Sequence, residues 1–331
     1  MSERTIPALM LQRDLTIALG RRCLSDPLPG EAVVRVQWAG LCGSDLHVFR
    51  TGAWVEEWPA TLGHEIYGTV EHVAGDGPLQ VGAHVVADSR VACGACPDCL
   101  AGAVDRCTHV RFVGECRPGG FATHCVLPTR MLHVVPDSLQ SPTAVLAEPL
   151  AVVLHALSHL RSEPENVAIL GHGPIGALVQ IELRRRFPQA QITVAEPAGL
   201  RAQLARALGA MTCSTAADAP TGAFDTVIDA AGYRGSVAEA IRLARTRGQV
   251  LLLALGEGTA ELTPSVLVEQ SLSVVGSNAF VGELPGAVSL LAADGWRYEP
   301  VITDAIAIDE LPTMVRAQLE QPDGAKVIVC P

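Results

Sequence analysis

Asn166-Val-Ala-Ile-Leu170 runs straight into Gly171-His-Gly173-Pro-Ile-Gly176, a junction that few chain geometries accept. The apolar run reads as a buried strand, and the residues after it predict a helix around 174–186. Gly171 allows a tight turn, Gly173 lets backbone N–H groups approach a pyrophosphate, and Gly176 lets helix and strand pack closely. Pro174 and Ile175 complete the loop and open the helix, whose positive end then faces the phosphates. A lone Gly-x-Gly-x-x-Gly is a weak signal. Here it follows a strand, opens a helix and has Glu196 at the end of the next strand, twenty positions past Gly176, which is dinucleotide-binding context. Glu196 would accept hydrogen bonds from the adenosine ribose hydroxyls and repel a 2′-phosphate, which favours NAD over NADP. The alternative is a solvated strand-end carboxylate. Arg201, close behind, either helps a phosphate or lies over the adenine or ribose.

The surrounding texture extends this reading. Strands are expected at Asn166–Leu170, Ile192–Glu196, Thr226–Ala230 and Val250–Leu255, alternating with helices around 174–186, 198–208 and 235–246. Such alternation means βαβ units and a doubly wound parallel sheet. Residues 142–161 read as one further helix. Upstream, short β-prone runs such as Ala32–Val36, Val70–Val73, Val81–Ala87 and Phe121–Leu127 lie between Gly and Pro turns, the pattern of a compact β-rich domain. A strand at Val301–Ile308, a helix near 309–320 and a last strand at Lys326–Val329 are expected to return to it. The division is therefore 1–149 with 280–331 for the β-rich domain and 150–279 for the α/β domain.

The 331 residues suit two domains. No apolar run is long and clean enough for a bilayer, and the charged N-terminus lacks an export signal, so no membrane association and a cytoplasmic location are expected. A net charge of -11 argues against a nucleic-acid partner. Of 24 basic residues only Lys326 is a lysine, an excess of arginine that fits a GC-rich genome better than a physical demand.

Four of the ten cysteines crowd into residues 93–107 as Cys93-x2-Cys96-x2-Cys99-x7-Cys107. Closely spaced thiols on a Gly/Pro turn can converge on one tetrahedral ion, and four thiolates leave no open position, so this zinc would be structural. An iron–sulfur cluster or a set of free or disulfide-linked cysteines are the alternatives. Cys42, His64, Glu65 and Glu148 offer the thiolate, imidazole and carboxylate donors of a catalytic zinc with a position left open. Three or four such groups from distant positions are weak evidence alone.

Together Gly40-Leu-Cys42-Gly-Ser44-Asp45-Leu-His47, Leu62-Gly63-His64-Glu65, the four-cysteine lobe, Ala147-Glu148-Pro149-Leu150, the glycine loop and the closing Gly324-Ala-Lys326-Val-Ile-Val329 resemble the zinc-dependent medium-chain alcohol and polyol dehydrogenases over nearly the whole chain. The resemblance implies an α/β protein. It would combine a GroES-like β-rich catalytic domain, carrying a structural zinc lobe at 90–110, with a Rossmann coenzyme domain, and hold two zinc ions per chain and NAD. It implies that Cys42 and His64 bind the catalytic zinc, that Glu65 is a ligand directly or through water, and that Glu148 matches the glutamate of the polyol branch. It makes Ser44 the acceptor of the substrate hydroxyl's proton, His47 the next group of the relay, and Asp45 the group that orients His64. It also implies a homodimer or homotetramer, with 272–281 a plausible contact.

Zinc as a Lewis acid lowers an alcohol's pKa toward neutrality, which suits hydride donation to a nicotinamide. With Cys42, Glu65 and Glu148 all ionised the zinc would be over-neutralised, so not all three are expected to bind at once, with Glu65 and Glu148 exchanging with water. Relatives of the sorbitol and idonate type often carry an arginine near Ala279, where this chain reads Val275-Gly-Ser-Asn-Ala279-Phe280. The acidic, aromatic loop Trp54, Glu56, Glu57, Trp58 keeps an amino-polyol or amino-alcohol substrate open. A silent zinc- and nucleotide-binding sensor would be expected to lose Cys42, Ser44 or His64, and all three are present.

Overall fold

The computed structural model describes residues 4–256, 259–260 and 262–331. The chain divides into two compact units, one formed by Met1–Glu148, Leu284–Pro322 and Lys326–Pro331, the other by Pro149–Glu283 and Asp323–Ala325.

In the second unit, six parallel strands run Asn166–Leu170, Gln191–Ala195, Met211–Cys213, Phe224–Asp229, Ala244–Leu252 and Ser273–Gly276. Across the sheet they lie third, second, first, fourth, fifth, sixth. This is the doubly wound order whose reversal beside the first strand opens a crevice at the strands' carboxyl ends. Val167–Leu170 are buried, as a central parallel strand covered on both faces requires. Ala168, Leu170, Val227, Leu243 and Val250 belong to one core cluster.

Several elements depart from the sequence reading. Met211–Cys213 was not expected, because three residues are too few to show a period. Residues 142–161 split into a 3₁₀ turn, Pro142–Leu146, and an α-helix, Ala147–Ser158. Pro149 falls in that helix's first turn, where a missing N–H costs nothing. The strand expected at Val250–Leu255 instead spans Ala244–Leu252, and the helix before it stops at Leu243. Of Val275–Phe280 only the first two residues are in a strand.

In the first unit the long strand Glu31–Leu41 organises a seven-stranded sheet. One edge pairs antiparallel with Glu65–Val73. The other edge is shared: Glu31–Arg35 pair with His124–Pro128, and Ala39–Leu41 pair with Val327–Val329. The register sets Gly40 opposite both Glu65 and Ile328. Residues distant in sequence, Cys42, His64, Glu65 and Lys326, are thereby gathered at one end of the sheet. Leu62, Ile66, Phe121, Leu311 and Val327 fill the core cluster beneath. The hairpin Thr5–Leu11/Ile17–Cys23 and the helices Gly43–Thr51 and Leu284–Asp294 were not read from the sequence. The second hairpin strand, IALGRRC, is mostly exposed and shows no apolar face to read.

Candidate functional site

Leu41 ends its strand, Cys42 is the extended residue that caps the next helix, and Gly43–Thr51 is that helix. Asp45 folds back over the cap: its Oδ2 accepts the Cys42 N–H at 3.0 Å and its Oδ1 accepts the Gly63 N–H at 3.3 Å. The same carboxylate lies 3.5 Å from His64 Nδ1. One buried side chain thus ties together the two segments that carry the donors, and it leaves the other ring nitrogen of His64 to the side of Cys42, where a metal would be held. Burial opposes charging His64, but the adjacent Asp45 carboxylate outweighs it and raises the imidazole well above its ordinary pKa.

Sγ of Cys42, a ring nitrogen of His64 and a carboxylate oxygen of Glu65 lie within 4.8 Å of one another. Glu65 is fully buried, and its Oε1 accepts a hydrogen bond from Lys326 Nζ at 2.6 Å. Its Oε2 is buried with no hydrogen-bond partner. A buried carboxylate oxygen left unsatisfied beside a thiol and an imidazole is what a bound cation would satisfy, so the donor set fits zinc. Gly40 makes room for it, because a Cβ there would collide with Glu65 Oε2.

Lys326 is the residue that sequence reasoning missed. Its ammonium is 1% exposed, donates to Glu65 and to the Leu41 carbonyl at 3.0 Å, and is held protonated by Glu65 and Cys42 against the opposing effect of burial. Its positive charge sits against Glu65, a contribution that the over-neutralisation argument from Cys42, Glu65 and Glu148 did not include. The signal was present in the composition: the sole lysine stands where a compact ammonium is required in place of a guanidinium fork.

Glu148 does not join the group of donors within 4.8 Å. Its Oε1 accepts the Ser89 hydroxyl at 2.6 Å in a fully buried setting. Burial, then Glu65, pushes its pKa up, against the pull of His64 and Lys326. Ser44 and His47 sit three residues apart on the helix Gly43–Thr51, spacing that sets them on one face. The His47 ring lies 4.7 Å from that of Trp54. The acidic loop is less open than the sequence suggested, since Glu56 is paired with Arg111 at 2.6 Å.

In the cysteine lobe the four sulfurs of Cys93, Cys96, Cys99 and Cys107 lie within 4.8 Å of one another and form no disulfide. The Cys93–Cys99 sulfur separation is 3.9 Å. Sulfurs at the corners of a zinc tetrahedron are about 3.8 Å apart, so the spacing fits one ion. The backbone N–H groups of Ala95 and Cys96 bring Cys93 down to about 6, while desolvation and the neighbouring sulfurs push Cys99 up to about 12.

In the second unit Gly171 has φ +82°, and a Cβ there would come within 2.8 Å of Ala231 Cβ. A Cβ on Gly176 would strike the Gly171 carbonyl. Gly173 is the N-cap of the helix Pro174–Arg186, and Pro174 and Ile175 form its first turn. Glu196 is buried just past its strand; its Oε2 accepts the His172 N–H at 2.7 Å and its Oε1 the Ala198 N–H at 2.9 Å. It braces the glycine loop, and its remaining lone pairs can take ribose hydroxyls. Arg201 Nε donates to the Gly324 carbonyl at 2.6 Å, and its guanidinium carbon stands 3.7 Å from where a Gly173 Cβ would be. His172 is fully buried, with Nε2 2.7 Å from Gln180 Oε1. The loop therefore fits a dinucleotide.

The alcohol dehydrogenase GroES-like domain family matches residues 28–137, and the glucose dehydrogenase C-terminus family matches residues 138–329. The D-altritol 5-dehydrogenase of Agrobacterium fabrum is 31% identical over 92% of this chain and 93% of its own. The crystal structure of L-idonate 5-dehydrogenase from Escherichia coli K-12 superposes with a TM-score of 0.87 at 26% identity, over 99% of both chains. A protein of Sinorhizobium meliloti 1021, described as a zinc-binding dehydrogenase and solved bound to NADP, gives 0.88 at 28% identity, over 99% of this chain and 100% of its own. The fold and the donor set define an oxidoreductase of the zinc- and nicotinamide-dependent class. The chain belongs to the zinc-type medium-chain alcohol and polyol dehydrogenases, and its substrate is a small-molecule alcohol. Among the described residues no helix is long and apolar enough to cross a membrane.

Proposed function

We propose that this enzyme interconverts a secondary alcohol of a polyol-like substrate and the corresponding ketone, with NAD as the hydride carrier. The observation that carries it is the cluster of Cys42, His64 and Glu65 donors with Glu65 Oε2 unsatisfied. Cys42 and His64 hold the catalytic ion, and Glu65 meets it directly or through water. Glu148, now bonded to Ser89, is the exchangeable fourth donor. Zinc held there supplies a Lewis acid that makes the alcohol's proton easier to lose. Asp45 keeps the His64 ring oriented. Ser44 receives the hydroxyl proton and passes it toward His47 without adding charge beside the metal. Cys93, Cys96, Cys99 and Cys107 close a structural zinc site.

Gly171, Gly173, Pro174, Ile175 and Gly176 receive the pyrophosphate on backbone N–H groups, and Arg201 borders that loop. Glu196 takes the ribose hydroxyls, which supports NAD over NADP. Relatives named for D-altritol and L-idonate support a polyol or its acid as substrate. The amino-alcohol reading is weakened because Glu56 is engaged by Arg111. Family resemblance supports a homodimer or homotetramer acting in the cytoplasm, where reducing conditions keep the lobe thiols available for metal. The test is a panel of polyols and sugar acids with NADH absorbance as readout. Turnover lost to a chelator and restored by zinc is expected; turnover indifferent to the chelator contradicts the reading.

A further inference from the structure

The turn that follows the short strand Arg111–Phe112 lies directly on the segment preceding His64. A Cβ on Gly114 would sit 3.1 Å from Leu62 Cα and 3.3 Å from the Gly63 nitrogen, so glycine is needed for the close approach. Further along, the Phe121 N–H donates to the Leu62 carbonyl at 3.0 Å and the Gly120 N–H to that of Gly63 at 2.7 Å. The Glu115 N–H is held by the Phe112 carbonyl at 3.1 Å, and the Glu115 carbonyl accepts the Glu56 N–H at 3.0 Å. Glu115 is therefore fixed by its backbone beside the segment that leads to His64 and beside the loop Trp54–Trp58, and it borders a cavity with Arg22, Glu57, Thr61 and Arg117.

Its side chain is half-buried, and its carboxyl has no hydrogen-bond or ion-pair partner among the described residues. The two arginines of the same segment are spent elsewhere: Arg111 on Glu56 at 2.6 Å and Arg117 on Glu31 at 2.8 Å. The charges that reach Glu115 are those of His64, Asp45 and Glu56. Burial, aided by Asp45 and Glu56 and opposed by His64, pushes the carboxyl up to about 7. Neither of its oxygens is cut off from solvent, so water meets them until a ligand hydroxyl takes its place.

We propose that Glu115 is a substrate-recognition residue whose carboxylate accepts hydrogen bonds from hydroxyls adjacent to the carbinol being oxidised, selecting polyhydroxylated over simple secondary alcohols. The assignment rests on the dehydrogenase reading above and names the substrate feature that site selects. Two carboxylate oxygens can each accept from a separate hydroxyl, which matches a run of neighbouring carbinols. Above about pH 7, where the carboxyl is ionised, charge-assisted acceptance gives such a contact more weight than a neutral one.

The test compares glycerol, whose secondary carbinol is flanked by two hydroxyls, with isopropanol, which has none. Wild type, E115Q and E115A are assayed zinc-replete at saturating NAD. Wild type is expected to prefer glycerol by kcat/KM. E115A should lose about 10- to 100-fold on glycerol, chiefly in KM, and less than threefold on isopropanol. E115Q, which keeps one acceptor oxygen, should recover part of the loss, and the KM for NAD should not move. Equal losses on both alcohols overturn the assignment, because Glu115 would then act only through His64 or the fold. A wild type without preference for glycerol over isopropanol also overturns it while leaving the dehydrogenase reading intact. No turnover of either alcohol overturns the assignment, and the dehydrogenase reading falls with it only when the panel of polyols and sugar acids also gives no turnover.

Discussion

Lys326→Met isolates the feature on which the geometry of the metal cluster rests. In the wild type the Lys326 ammonium and the Glu65 carboxylate, 1% and 0% exposed, meet at 2.6 Å. Removing the ammonium leaves Glu65 buried with neither oxygen satisfied, since Oε2 already has no partner. Breaking a buried pair from one side costs about 3–5 kcal/mol. At about 2–4 °C per kcal/mol for a unit of this size, the melting temperature of metal-free K326M should fall by about 6–20 °C. The least costly escape is for Glu65 to fold protonated. The folded variant then binds one more proton than the unfolded chain, so its deficit should shrink as pH falls from 8 to about 5. K326M/E65Q leaves neither ion of this pair to bury and should recover most of the loss. Calorimetry of the two variants and the wild type reads all three effects. A K326M shift under about 2 °C, or a double variant no more stable than the single one, would refute the claim that Lys326 compensates a buried anion.

Two further predictions concern the coenzyme unit. Burial lowers the pKa of His172 below its ordinary 6.5, so its contribution to stability is present above that pH and lost as pH falls through it. The melting temperature of H172Q should therefore decline less steeply than that of the wild type between pH 7 and 5; parallel declines would contradict the assignment. E196Q should weaken NAD by about tenfold and NADP by less, because only NAD presents a free 2′-hydroxyl to the lost anion. Equal weakening in titrations of the two coenzymes would remove Glu196 from the ribose.

The parts of the site that were legible are those written locally. Gly171 to Gly176 and the four lobe cysteines each lie within fifteen residues, and their chemistry follows from spacing on one turn or loop. Lys326 and Glu65 are 261 residues apart and meet through strand pairing, while Ser89 and Glu148, 59 apart, meet between a loop and a helix. The register that sets Gly40 beside Glu65 and Ile328 leaves no local periodicity to read. The helix Gly43–Thr51 was missed because only Asp45, Val48 and Phe49 are buried along it, too few to show a stripe. Met211–Cys213 was missed for a related reason: its place in the sheet is set by its neighbours rather than by its own three residues.

The central claim is that one end of the first unit's sheet is a zinc site distinct from the cysteine lobe. Metal analysis of the zinc-replete protein and of C42A tests it most directly. The account predicts about two zinc ions per chain in the wild type, one per site, and one in C42A together with loss of NADH formation. Two ions retained in C42A, or a single ion in the wild type, would contradict it.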